Sequence, residues 1–145
     1  MTVGRHTLDQ TLHEGNRWLN DLCDKLHTDD RQLAYHALRA TLHAVRDQIG
    51  PEQAVKLGAQ LPTLIRGIFY EGWHLNKPAR QNRGDPFLAR IKDELPNNPK
   101  LSADRAVKAT FQLLWDNLDA GEVVKVVEHL PEDLGNDLWP QLGRN

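Results

Sequence analysis

The stretch from residue 61 to residue 73 is the part of the sequence richest in side chains suited to binding. It reads Leu-Pro-Thr-Leu-Ile-Arg-Gly-Ile-Phe-Tyr-Glu-Gly-Trp and combines three aromatic residues with an arginine and a glutamate. Tyrosine, tryptophan and arginine are enriched among the residues that dominate binding energy at protein interfaces. We therefore predict a partner-binding site there, extended by the basic loop that follows; its residues are Arg66, Tyr70, Glu71, Trp73, Lys77, Arg80 and Arg83.

The seven histidines raise the question of metal binding or acid–base catalysis. His36 and His43 are seven residues apart on one predicted helix, which separates them by about 10 Å, too far to bind one metal ion together. His13-Glu14 lacks the second histidine of a zinc-binding helix. We therefore interpret His36 and His43 as surface residues and predict no catalytic residue, no metal site and no cofactor. Catalysis is not excluded, but no enzyme signature argues for it.

The composition is typical of a soluble globular protein of 145 residues, with 39% hydrophobic and 26% charged residues and a net charge of −2. No apolar run is long enough to span a bilayer, and the N-terminus has no apolar core of a signal peptide. We therefore expect a cytoplasmic protein without membrane contact. Nucleic acid is not expected as a partner, because the chain has no basic stripe. Cys23 is the only cysteine, and we predict that it is buried and inert.

The spacing of apolar residues predicts a series of amphipathic helices. Thr7–Gln10 has the form of a capping box and predicts the start of the first helix. The polar stretch Thr28-Asp-Asp30 offers N-cap chemistry for the second helix, and Ser102 is a predicted N-cap of a later one. Gly50-Pro51 predicts the end of one helix and the start of the next. The first helix carries an apolar stripe formed by Leu8, Leu12, Gly15, Leu19, Leu22 and Leu26.

The sequence also matches itself. When it is displaced by 69 positions, residues 15–70 align with residues 84–139 without a gap, and thirteen of the 56 columns are identical. A self-match at a fixed period indicates a repeat architecture. We predict a single all-α domain over residues 1–145, a helical bundle of two tandem pseudo-symmetric repeats. Repeat one covers residues 8–71, the joining loop 72–84 and repeat two 85–140.

The self-match separates shared residues from unshared ones. Tyr70 is matched by Trp139, so the aromatic column has a structural interpretation, in which it covers the open end of the bundle. Arg66 and Glu71 are matched by glycine and proline, which favours a functional role, although a local ion pair would also explain them. Alanines at spacing three in both copies predict that the second helix of each repeat lies at the centre of the bundle.

Residues 61–73, together with Lys77, Arg80, the restart at residues 86–88 and the Leu-Pro and Leu-Trp-Pro sequences of the second copy, carry a family resemblance. The chain resembles the bacterial proteins grouped as domain of unknown function 2267, over nearly its whole length. The resemblance implies a soluble, all-helical bacterial protein. It assigns no activity and no site residues.

Two main hypotheses of function follow. In the first, the chain is a non-enzymatic interaction or adaptor protein, with a role in stress physiology, that binds an acidic or mixed-charge protein through the predicted site. In the second, it binds a small ligand, or is an enzyme, with a cleft between the repeats near Thr41 and Thr110. A further possibility is that the acidic second repeat mediates self-association or binds a basic partner. The oligomeric state is not predicted.

Overall fold

The computed structural model describes residues 2–75 and 87–143. Within these two ranges the chain forms eight α-helices and no β-strand, which confirms the predicted all-α fold. In chain order the helices are α1 (Thr2–Leu26), α2 (Arg31–Ile49), α3 (Pro51–Gln60), α4 (Thr63–Tyr70), α5 (Phe87–Glu94), α6 (Ala103–Asn117), α7 (Ala120–Glu128) and α8 (Glu132–Gln141).

Local sequence signals explain where most helices begin and end. The Asp30 carboxylate accepts a hydrogen bond from Leu33 N at 3.1 Å, and Ser102 Oγ accepts one from Arg105 N at 3.1 Å. The first amides of a helix have no hydrogen-bond partner within it, and each of these two side chains supplies one. Gly50 has a φ of +87°, which favours glycine, and α3 begins at Pro51 directly after it. These predicted boundaries are confirmed.

The predicted start of α1 is wrong. The helix begins at Thr2, and Thr7 lies inside it, with its carbonyl accepting a hydrogen bond from Thr11 Oγ1 at 3.0 Å. No proline precedes Thr7 to stop the helix from extending further toward the N-terminus. As a result the apolar stripe of α1 is only partly buried: Leu22 and Leu26 lie in the core, whereas Leu8 is 67% exposed and Leu12 is 55% exposed.

Helix α2 lies at the centre of the bundle, where it packs against α1, α3, α4, α5 and α6. Its alanines at positions 34, 37 and 40 are buried, which allows the neighbouring helices to approach closely. Thr41 on α2 and Thr110 on α6 are fully buried. Cys23 is buried as predicted, and burial raises the pKa of its thiol, so the reactive thiolate is disfavoured.

Candidate functional site

The structure brings together the described part of the predicted binding site at the end of α4. Tyr70 is the last residue of that helix, and Glu71 and Trp73 follow it in a turn. We call this region, formed by Tyr70, Glu71 and Trp73, the α4 corner. Lys77, Arg80 and Arg83 lie outside the residues that the structure describes.

Arg66 reaches the end of α3, at the same residue, Gly58, that Tyr70 of the α4 corner contacts. Its Nε donates to the carbonyl of Gly58 at 2.8 Å, and its Nη2 donates to the carbonyl of Leu61 at 2.9 Å. The last carbonyls of a helix have no partner within it, so a guanidinium at that end satisfies them. Arg66 therefore stabilises the junction between α3 and α4, and it forms no ion pair with Glu71.

Glu71 forms an ion pair with Arg39 of α2, with 3.0 Å between Oε1 and Nη2. This hydrogen bond raises the pKa of Arg39. The side chain of Glu71 remains 59% exposed, so the pair lies at the surface and contributes little to stability. It places one negative and one positive charge side by side at the edge of the α4 corner.

Tyr70 and Trp73 form a parallel stack. Their ring centroids are 5.4 Å apart, the angle between the rings is 5°, and both side chains are half-buried against the core. Tyr70 also lies directly on Gly58: a Cβ atom added to Gly58 would overlap the tyrosine hydroxyl and come within 2.5 Å of Cζ. Gly58 is therefore required by the close approach of this ring.

Two residues of the site were not predicted from the sequence. His43 was expected at the surface, and this expectation is wrong, because only 7% of it is exposed and Nε2 donates to the carbonyl of Ile68 at 2.6 Å. Arg46 is 6% exposed and donates through Nη1 to the carbonyls of Phe69 and Glu71, both at 2.9 Å. Together they satisfy the carbonyls at the end of α4, which is where the α4 corner begins.

Electrostatics at this position favour a neutral histidine. Burial lowers the pKa of His43 from its ordinary value of 6.5, and the nearby positive charges of Arg46 and Arg39 lower it further. The hydrogen bond to Ile68 acts in the opposite direction but does not reverse the shift. Arg46 is charge-balanced by Asp47, with 2.9 Å between Nε and Oδ1.

A polar groove runs beside the α4 corner, between α2 and α5. It is lined by small and charged side chains from both helices: Ala40, His43, Ala44, Arg46, Asp47, Arg90, Asp93 and Glu94. The lining carries charges of both signs, and His43 and Arg46 already donate to backbone carbonyls. Among the described residues no group of three or more histidine, cysteine, aspartate or glutamate side chains is placed to bind a metal ion. The groove is therefore a mixed-charge surface.

Comparison with family models assigns the chain to a protein family. A family model described as an uncharacterized conserved protein (DUF2267) matches residues 15–136. The chain belongs to the domain of unknown function 2267 family. The matched residues include α2, α4 and the α4 corner. A comparison with curated proteins finds no match. No helix in the described part of this family member has both the length and the apolar character needed to cross a bilayer.

Proposed function

We propose that this protein is a non-enzymatic interaction module that binds another protein through the α4 corner. The observation that carries the proposal is the parallel stack of Tyr70 and Trp73 at the edge of the bundle. Leu75, 63% exposed, follows it in the chain. Stacked aromatic rings with part of their surface open provide a large apolar contact area, which is typical of the central residues of protein interfaces.

The backbone of the α4 corner is anchored by hydrogen bonds that need no partner. Arg46 fixes the carbonyls of Phe69 and Glu71, and the amide of Trp73 donates to the carbonyl of Tyr70 at 3.1 Å. A surface that is already ordered loses less conformational entropy when it binds. This favours a docking surface over a segment that folds only on its partner.

The charges around the corner indicate the character of the partner. Glu71 and Arg39 present both signs side by side, and the basic residues Lys77, Arg80 and Arg83 of the predicted site follow in the sequence. A partner of acidic or mixed charge would be complementary to this arrangement. A role in stress physiology stays a prediction, as does a cytoplasmic location.

The test compares matched tryptophans. Trp73→Ala removes half of the stack, whereas Trp139→Ala removes a half-buried tryptophan from the column that the 69-residue offset pairs with Tyr70. Each variant is checked for folding by circular dichroism and then used for affinity capture from the native host, read by mass spectrometry. We expect proteins captured by the wild type and by Trp139→Ala to be lost with Trp73→Ala. Equal capture by all three proteins would contradict the proposal.

We further infer that the bundle is built from two tandem repeats. Helices α6, α7 and α8 correspond in order to α2, α3 and α4. Helix α1 packs on α6 and α5 packs on α2, as the exchange of two halves about a two-fold axis requires. Gln53 Nε2 donates to Glu122 Oε1 at 2.7 Å, and these residues are 69 positions apart. A hydrogen bond between two residues of one aligned column is expected where an approximate two-fold axis passes.

The alternative of a ligand cleft between the repeats receives less support. It requires space near Thr41 and Thr110, but both threonines have no exposed surface, on helices α2 and α6 that pack against each other. Neither hydroxyl makes a hydrogen bond to another described residue. Such closed packing gives a ligand no route to these hydroxyls.

A further inference from the structure

The N-terminal half of α1 carries an apolar face that the bundle leaves uncovered. Leu8 is 67% exposed and Leu12 is 55% exposed, and they lie one helical turn apart on the same stripe. Leu64 of α4, 40% exposed, lies against Gly15 of the same helix α1, since a Cβ atom added to Gly15 would come within 2.8 Å of its Cδ1, and it lines the same groove as Leu12. The exposed leucines of α1 and α4 therefore form one continuous surface.

This surface continues into an apolar groove between α1, α2 and α4. The groove is lined by Leu12, Gly15, Asn16, Leu19, Tyr35, Leu38, Leu64, Ile65 and Ile68. We call it, together with Leu8, the α1 surface. A contiguous exposed apolar patch of this kind marks an interaction site more often than single exposed leucines do.

The first turns of α1 receive little stabilisation from the rest of the bundle. Residues 5–10 are all exposed, so they make little tertiary contact, although α1 is helical from Thr2 onward. The end of a helix that lacks packing frays readily. A helix packed along Leu8 and Leu12 would stabilise this end.

The charges at the edge of the stripe indicate which kind of helix would pack along Leu8 and Leu12. At about 100° per residue, Arg5 and Asp9 lie on the same edge of the Leu8 and Leu12 stripe. Within the described ranges neither side chain forms an ion pair, whereas Arg17 further along α1 pairs with both Glu14 and Asp21. One edge of the α1 surface therefore carries a positive and a negative charge one turn apart, and neither is held by the rest of the bundle.

A second copy of α1 in the antiparallel direction is complementary to this pattern. When two identical helices pack antiparallel about a two-fold axis, each edge of the stripe faces the same edge of its partner. Arg5 of each copy then lies near Asp9 of the other, which gives two reciprocal ion pairs. In a parallel pair the Arg5 edge would instead face the opposite edge, which carries the uncharged Thr7 and Thr11.

We propose that two copies of this chain associate through the α1 surface, with their α1 helices antiparallel. The interface is isologous: Leu8 of each copy lies near the two-fold axis, and the exposed part of the α1 surface is buried against the other copy. This surface is separate from the α4 corner, so the proposal does not depend on the proposed function. The partner is a second copy of the chain, and not a different protein.

The first test is the mass of the full chain by sedimentation equilibrium over a wide range of concentrations. We expect a monomer–dimer equilibrium. Leu8→Glu places a charge in the interface without affecting the core, because the side chain is exposed, and should weaken the dimer by about tenfold or more. Val55→Glu is the matched control, since Val55 on α3 is 54% exposed and lies outside the α1 surface.

The second test reverses the charges. Arg5→Asp and Asp9→Arg should each weaken the dimer, and the double variant, in which the two charges are exchanged, should restore it. A wild-type chain that stays monomeric at every concentration would overturn the proposal. Equal weakening by Leu8→Glu and Val55→Glu would overturn the α1 surface as the interface, and failure of the double variant to restore the dimer would overturn the antiparallel arrangement.

Discussion

The ends of α4 and α8 correspond to each other under the 69-residue offset, but different side chains stand in the columns that flank them. Near the end of α4, the buried side chains of His43 and Arg46 donate to the last carbonyls of the helix. In the columns that the 69-residue offset pairs with them stand Gln112 and Trp115, and Trp115 packs half-buried against the core. The end of α4 is therefore held by buried side-chain donors on α2, whereas the paired columns on α6 hold a glutamine and a half-buried tryptophan.

The junctions that precede these two ends differ in a reciprocal way. At the junction between α3 and α4, Gly58 of α3 has no side chain, and Arg66 of α4 reaches across it to donate to its carbonyl. Before α8, the paired residues are Val127 and Gly135, and a Cβ added to Gly135 would come 3.6 Å from Val127 Cγ1. The glycine has changed sides, so one junction is filled by an arginine from the later helix and the other by a valine from the earlier one.

This difference has a consequence for the surface. Because Gly58 leaves room for Tyr70, that ring can stack on Trp73 with part of its face open to solvent. The polar donors beneath it fix the backbone without covering the rings. The α4 corner thus combines a rigid backbone with accessible aromatic surface, a combination that suits a binding site.

The largest effect is expected when the buried arginine is removed. Arg46→Met leaves the carbonyls of Phe69 and Glu71 without their donor and Asp47 without its partner. Loss of charged hydrogen bonds at a buried position should lower the free energy of unfolding by about 3 kcal/mol. Urea denaturation followed by circular dichroism measures this change.

Trp115→Met is the matched control at the other end of the comparison. Its ring is half-buried and its loss removes packing but no hydrogen bond to the end of α8, so the cost should be about 1 kcal/mol. Equal costs for the two variants would show that the polar donors are not what distinguishes the α4 corner.

A smaller effect is expected at the glycine beneath Tyr70. In Gly58→Ala, the added methyl group overlaps the tyrosine ring, which must move away from Trp73. Overpacking should cost about 2 kcal/mol, partly offset by the higher helix propensity of alanine. Near-ultraviolet circular dichroism should report the loss of the stack.

A second substitution separates this steric effect from a general loss of stability. Tyr70→Ala removes the ring that the methyl group meets, so adding Gly58→Ala to that variant should cost nothing or stabilise it slightly. If Gly58→Ala destabilises both backgrounds equally, the close approach of Tyr70 is not the reason for the glycine.

Much of the fold could be predicted from the sequence because its signals are local. Helix boundaries at Asp30, Gly50 and Ser102 depend on side chains that act within a few residues of themselves. The start of α1 was predicted wrongly for the same reason. A capping-box pattern at Thr7 indicates that a helix can begin there, but it contains nothing that prevents the helix from extending to Thr2.

The site was predicted only in part, because its chemistry depends on tertiary packing. The aromatic and charged residues of the α4 corner were found from composition alone, but the sequence does not say that Arg66 reaches back to α3 while Glu71 reaches α2. His43 was interpreted as a surface residue on grounds of polarity. For its neighbour Arg46 the sequence did hold a signal of burial, because the paired column contains Trp115. A column that holds tryptophan in one copy is suited to a buried side chain in the other.

The smallest expected effect concerns pH and tests whether His43 is neutral in the folded protein. Its folded-state pKa lies below the ordinary value of 6.5, mainly because burial disfavours the charged ring. As the pH falls below 6.5, the unfolded chain therefore binds a proton at this position before the folded chain does. The contribution of His43 to stability is complete above pH 6.5 and is progressively lost between 6.5 and the lower folded-state pKa.

His43→Gln introduces the residue that the other half of the sequence has in this column, and glutamine can still donate to the carbonyl of Ile68. We expect similar stability to wild type at pH 8 and a smaller loss on acidification, measured by urea denaturation across the pH range. His36→Gln, on the same helix but half-exposed, is the control for replacing a histidine of α2 by glutamine. If His43→Gln and wild type lose stability in parallel as the pH falls, the buried imidazole is not the group whose protonation destabilises the fold.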